Sequence, residues 1–170
     1  MKRWIYRIVA GLALAGFVLL VDAWLSGNAA TEATDLPAAW QSMDTAELAI
    51  EPLAPLAGGP DTLTVRVAET TEQRAQGMQH LPARLIRDHP IWFVFEEPRQ
   101  VSWHMRNVRL ALDIAYVDRE GRVIAMERME PETRGYGLAE PIAAALELAA
   151  GEAQRLGIQP GTRLTLKEPD

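Results

Sequence analysis

The rhythm of hydrophobic and polar positions changes several times along the chain, and each rhythm predicts a different element. Ile8–Val21 is an unbroken apolar run behind the basic residues Lys2, Arg3 and Arg7. Further on, Leu63, Val65 and Val67 alternate with Thr64 and Arg66, the period of two expected for a strand with one buried face. Thr70 followed three residues later by Gln73 fits a capping box, so a short helix opens there, and Gly77 closes it. Ile91-Trp-Phe-Val-Phe95 is apolar at every position and predicts a central strand covered on both faces. Leu112–Val117 is the next strand. The short link Asp118–Gly121 then returns the chain as an antiparallel partner over Arg122–Arg128.

The remaining stretches are read from their punctuation. Leu36–Met43 predicts a helical turn. Leu48–Leu56 contains Pro52 and Pro55, which restrict it to an edge strand or an extended arm. His80–Pro90 and Met129–Glu140 read as loops. Ile142–Leu148 alternates like a strand, although its alanines favour a helix. Gly151–Leu156 predicts a short helix with Gly157 just past its end, Pro160-Gly161 a turn, and Arg163–Lys167 a final strand. The sum is about seven strands and two short helices with hairpin-length links. That is a mainly β chain, an antiparallel β-sandwich or partly closed barrel, behind an N-terminal membrane segment.

As a helix, the run Ile8–Val21 spans about 21 Å, and extension to Leu25 brings it to about 27 Å against a hydrocarbon core of roughly 30 Å. Trp4, Tyr6 and Trp24 bracket it as interfacial anchors do. Residues 1–25 are therefore expected to be a membrane anchor or a signal peptide, 26–46 a linker, and 47–170 an exported β domain. Basic residues before the span place the domain outside the bacterial inner membrane, in the periplasm, either tethered through residues 4–25 or secreted after cleavage.

Composition narrows the chemistry. Hydrophobic residues make up 48% of the chain and charged ones 24%, enough apolar material for one real core. The net charge of −6, without a basic stripe, excludes a nucleic-acid grip as the expected role. With no cysteine there is no disulfide, thiolate nucleophile or Cys-ligated zinc. His80, His89 and His104 lack metal-ligand spacing, and neither a glycine-flanked serine elbow nor a phosphate loop occurs, so no metal and no cofactor is implied.

The segment Val101–Asp118 concentrates what chemistry there is. Trp103 would form a stacking wall, with His104, Arg106 and Asn107 as polar contacts, or else Trp103 and Met105 belong to the core and Arg106 pairs with an acid at the rim. Asp113 lies within an apolar strand and needs a partner, Arg106 or Arg109 being nearest in sequence. Glu147 repeats that situation. If the two acids faced one cavity they would form an acid/base pair for hydrolysis. Tyr136, between Gly135 and Gly137, is a candidate lid or a plug of its loop.

Several stretches in order carry a family resemblance: Val67-Ala-Glu-Thr70 through Arg74 and Gly77-Met78, Phe93-Val-Phe95, Trp103-His-Met-Arg-Asn107, Leu112-Asp-Ile-Ala115, Asp118–Gly121, Ala145–Leu148, Gly151 and Leu156–Gly161. From Leu63 to Leu166 the chain resembles the domain of unknown function family 192. The resemblance implies a compact, mostly β domain, often exported, and no established activity. His104, Arg106, Val108 and Ala111 depart from the family's usual Trp, Lys, Thr and Pro, so a different ligand, or none, is implied at that patch.

Three functions stay open. The first is a non-catalytic envelope domain binding a small polar or saccharide-like ligand or an envelope partner. The second is a hydrolase using Asp113 and Glu147, and the third a structural accessory protein docking on a membrane partner. The candidate ligand-binding residues are Trp103, His104, Arg106, Asn107, Asp113, Tyr136 and Glu147.

Overall fold

A computed structural model describes residues 36–53 and 61–167. The expected anchor and residues 26–35 of the expected linker lie outside them. Among the described residues no helix is long and apolar enough to cross a membrane.

The compact unit begins at Pro37 rather than at residue 47. Helix α1 (Ala38–Gln41) is the helical turn expected there, and it buries Trp40 beneath the Arg66 guanidinium, 4.4 Å from the ring centroid. Strands β1 (Asp44–Glu51) and β2 (Thr62–Ala68) follow, then helices α2 (Thr71–Gln76) and α3 (Ala83–Asp88). The capping box at α2 forms as expected. The Thr70 hydroxyl accepts from Gln73 N at 3.2 Å, and the Gln73 side chain accepts from Thr70 N at 3.0 Å. Helix α3 falls in a stretch read as loop. Pro82 precedes its first turn and Pro90 lies beyond its end, so neither proline breaks a helical hydrogen bond.

Strands β3 (Ile91–Arg99), β4 (Trp103–His104), β5 (Leu112–Val117), β6 (Val123–Met129), β7 (Arg134–Tyr136) and β8 (Ile142–Ala149) come next, then helix α4 (Glu152–Arg155) and strand β9 (Arg163–Leu166). Seven strands form one sheet in the order β6-β5-β8-β3-β2-β1-β9, and β4 pairs with β7 in a separate ribbon. All pairings are antiparallel except β2 with β3, which the crossover through α2 and α3 makes parallel. β3 is the middle strand of the seven, as its continuous apolar run predicted. β1 lies inside the sheet, between β2 and β9, and not at an edge. Its strand stops at Glu51, before Pro52, so no ladder bond is lost to that proline.

The sheet curls until its two ends meet. Val123 N donates to Thr162 O at 2.9 Å, and Leu164 N to Gly121 O at 2.8 Å. Gly121 has φ +78°, and a Cβ there would lie 2.8 Å from Leu164 O, so the closure needs glycine. The result is mainly β, a curled half-barrel with few short helices. Its concave side holds the core: Leu48, Ile50, Val65, Val67, Trp92, Ala115, Val117, Leu146, Leu148 and Leu164 are all buried. Residues of the other parity, among them Ile91, Phe93, Ile114, Tyr116 and Ala145, face the opposite side of the sheet and are buried there too. This doubly covered centre explains why the Ala-rich segment is strand β8. Small side chains between two flanking strands pack on both faces, and tertiary context overrides helix propensity.

Candidate functional site

Two adjacent strands each carry one buried acid. Ile114 of β5 stands opposite Glu147 of β8, and Asp113 stands opposite Leu148. Residues directly opposite share a face and successive residues alternate, so Asp113 and Glu147 point to opposite sides of the sheet. The hydrolase pair is therefore not assembled.

Asp113 is fully provided for. Its carboxylate accepts from Arg128 Nε at 2.5 Å and from Gly151 N at 2.6 Å, just ahead of α4. Its partner is thus Arg128, directly opposite in the β5–β6 register, and neither Arg106 nor Arg109.

Glu147 has no such support. It is 6% exposed, and among the described residues no hydrogen bond or ion pair reaches its carboxyl. Burial takes the pKa up from 4.5 to about 8, so the acid keeps its proton at neutral pH. It opens into a hollow of about 360 Å³ on the outer face of the sheet. Phe93 and Phe95 of β3 form the floor beside it. Thr71, Arg74 and Ala75, one turn apart on α2, form one wall, and Ser102, Trp103 and His104 form the other.

Each wall is held firmly. The Trp103 ring stands edge-on to Phe93 with centroids 4.8 Å apart, and its indole Nε1–H is buried without a hydrogen-bond partner. Arg74 donates through Nη1 to Glu69 O and, at 3.1 Å, to Val94 O, and its guanidinium lies 5.6 Å from the Phe95 centroid. Beside the hollow, the Tyr116 hydroxyl donates to Glu127 at 2.5 Å, and burial pushes that phenol well above its ordinary range.

The other candidates fall elsewhere. Met105 is core, as the blander reading held, and Trp103 is both buried and part of the hollow. His104 is exposed at the rim, shared with a second depression of about 520 Å³ that also takes Arg106, Glu132, Thr133 and Arg134. Asn107 is a turn residue with φ +60°. Its backbone N–H donates to Glu132 and its carbonyl accepts from His80 N. Tyr136 is no lid over the hollow. It pairs with Trp103 in the ribbon, and its hydroxyl accepts from Glu130 N at 3.0 Å and lies 2.8 Å from the Thr133 hydroxyl. Among the described residues, no three His, Asp or Glu side chains gather with metal-ligand spacing. The sequence reading missed Arg74, Phe93 and Phe95 as site residues. The capping box and the i, i+3, i+4 spacing of Thr71, Arg74 and Ala75 were the available signal for the helical wall.

The family model of DUF192, described as an uncharacterized ACR, matches residues 54–166. The chain belongs to the DUF192 family. Among solved structures, this DUF192 chain is similar to a protein from Sinorhizobium meliloti 1021 provisionally described as a transcription regulator. The two share 30% identity over 74% of this chain and 95% of that one, with a TM-score of 0.65. A protein of unknown function from Novosphingobium aromaticivorans DSM 12444 shares the fold at 24% identity, with a TM-score of 0.59, over 76% of this chain and 98% of that one. No curated protein matches the chain.

Proposed function

We propose that this DUF192 domain is a non-catalytic binding domain whose ligand, a small polar molecule, enters the outer-face hollow between α2 and β4. One observation carries the reading: Glu147, 6% exposed and without a hydrogen bond or ion pair among the described residues, lines the hollow beside the Trp103 ring. A buried polar group without a partner costs free energy, and a ligand supplying the missing hydrogen bonds recovers it. A volume of about 360 Å³ sits at the small end of the range for ligand pockets, and aromatic walls with a few polar groups are their usual lining. The same reading keeps residues 4–25 as an inner-membrane anchor, on the strength of the basic N-terminus and the apolar run, with the domain in the periplasm. The regulator description of the Sinorhizobium relative is not adopted, because a net charge of −6 without a basic stripe disfavours contact with a phosphate backbone.

A thermal-shift and calorimetric screen of the full-length chain against small polar metabolites tests the reading. Ala75 is exposed and lines the hollow, so Ala75→Trp blocks it without entering the core. The expected outcome is at least one compound that binds the unmodified chain and fails to bind Ala75→Trp. Binding that survives the block, or no binding at all, contradicts it.

A further inference from the structure

Building on that reading of the hollow, we propose that it takes a small hydroxylated carboxylate. The carboxylate is held by the Arg74 guanidinium at the mouth, and a hydroxyl is held by the Glu147 carboxyl at the floor, beside the Trp103 ring. Arg74 gives both of its backbone hydrogen bonds through Nη1, which leaves Nε and Nη2 as an open fork. That fork matches a carboxylate in two parallel hydrogen bonds. It is also rigid before any ligand arrives, tied to two carbonyls and laid against Phe95, so little rotamer freedom is lost on binding.

The charges around the hollow select the sign of the ligand. Arg74 and Arg99 line it, and among the described residues neither is engaged in an ion pair. Glu147 is the one acid among the lining residues, and it stands at the buried floor. A cationic ligand would have to pass two guanidinium groups and meet a carboxyl whose ionisation burial opposes. An anion meets both guanidinium groups and a floor able to donate a hydrogen bond.

Glu147 acts as that donor only while it holds its proton. The charged and titratable groups around it are Arg74 from α2, Arg99 from β3, His104 from β4, Tyr116 from β5 and, through Tyr116, Glu127 from β6. Helix α3 also packs near β8, but it turns Ile86 inward and leaves Arg84, Arg87 and Asp88 exposed. An anion bound beside Glu147 requires the neutral acid, so its affinity falls as pH rises through about 8.

Isothermal titration of the full-length chain with D-glucuronate, D-glucose and D-glucosamine, which share one ring and differ in charge, tests the assignment. D-Glucuronate is expected to bind at least about tenfold more tightly than D-glucose, and D-glucosamine not to bind. Arg74→Ala should cost D-glucuronate about tenfold or more. Arg74→Lys, which keeps the charge but not the fork, should recover part of that and guards against a folding defect in the alanine variant. Well above pH 8 the affinity for D-glucuronate should fall about tenfold per pH unit, and Glu147→Gln should remove that fall while other titrating groups remain.

Equal or tighter binding of D-glucose or D-glucosamine overturns the anion assignment, as does binding indifferent to both Arg74 variants. In either case the hollow stands as a binding site if Ala75→Trp abolishes the signal. If none of the three probes binds, the assignment falls. The broader reading falls with it only when every other polar compound also fails or ignores the Ala75→Trp block.

Discussion

Asp113 and Glu147 are neighbours across one strand pair, equally buried at 6% exposure, and yet chemically opposite. Asp113 faces one side of the sheet and receives a guanidinium and a backbone N–H. Glu147 faces the other side, receives neither, and keeps its proton. Burial alone therefore says little about what an acid does. The donors within reach separate a structural carboxylate from one left available to a ligand, and a shift of one residue in register decides which face, and which donors, an acid meets.

The comparison breaks first at Glu147. In the folded chain this acid holds its proton to about pH 8, whereas the unfolded chain releases it near 4.5. Stability is therefore expected to fall as pH rises between those values, by up to on the order of 5 kcal/mol from this residue. Below 4.5 both states hold the proton and above 8 neither does, so the contribution is flat outside the window. Urea denaturation at pH 5.5 and 8.5 reads the effect, and Glu147→Gln should abolish its share. An unchanged pH dependence in the variant would show that Glu147 is not the group responsible.

At Asp113 the expected effect is a loss of stability on substitution. Asp113→Ala strands Gly151 N–H and frees Arg128, at an expected cost of about 2–3 kcal/mol at pH 7. The cost stays at that level because the Arg128 side chain is 51% exposed and returns to water. Asp113→Asn, which still accepts from Gly151, should recover part of it. The smallest effect is expected from Trp103→Phe. It removes a buried N–H that has no partner and keeps a ring against Phe93, so stability should move by less than about 1 kcal/mol. A loss of several kcal/mol there would mean that the N–H already serves the fold.

The local features were readable in the sequence because their causes are local. Thr70 and Gln73 announce a helix start by reciprocal hydrogen bonds, and Gly121 announces a turn by its positive φ. Ile91–Phe95 declares a central strand by having no polar face. That Asp113 and Glu147 needed explanation was also visible, since each interrupts an apolar strand. Their partners were hidden because they depend on pairing. Arg128 reaches Asp113 across the β5–β6 ladder, fifteen residues away, while Arg106 and Arg109 were merely close in sequence. Arg74 reaches the hollow only because the parallel β2–β3 crossover lays α2 beside β3 and β8. No periodicity within α2 contains that information. Helix α3 was missed for a different reason, its flanking prolines being taken as breaks when they only mark its ends.

The central claim is that Glu147 is a neutral, unpartnered acid waiting at the floor of a ligand site. Its side-chain carboxyl carbon, followed by NMR across pH in the full-length chain, measures this most directly. The account predicts a midpoint near 8 that rises further when D-glucuronate is present. A midpoint near the ordinary 4.5, unmoved by the ligand, would contradict it.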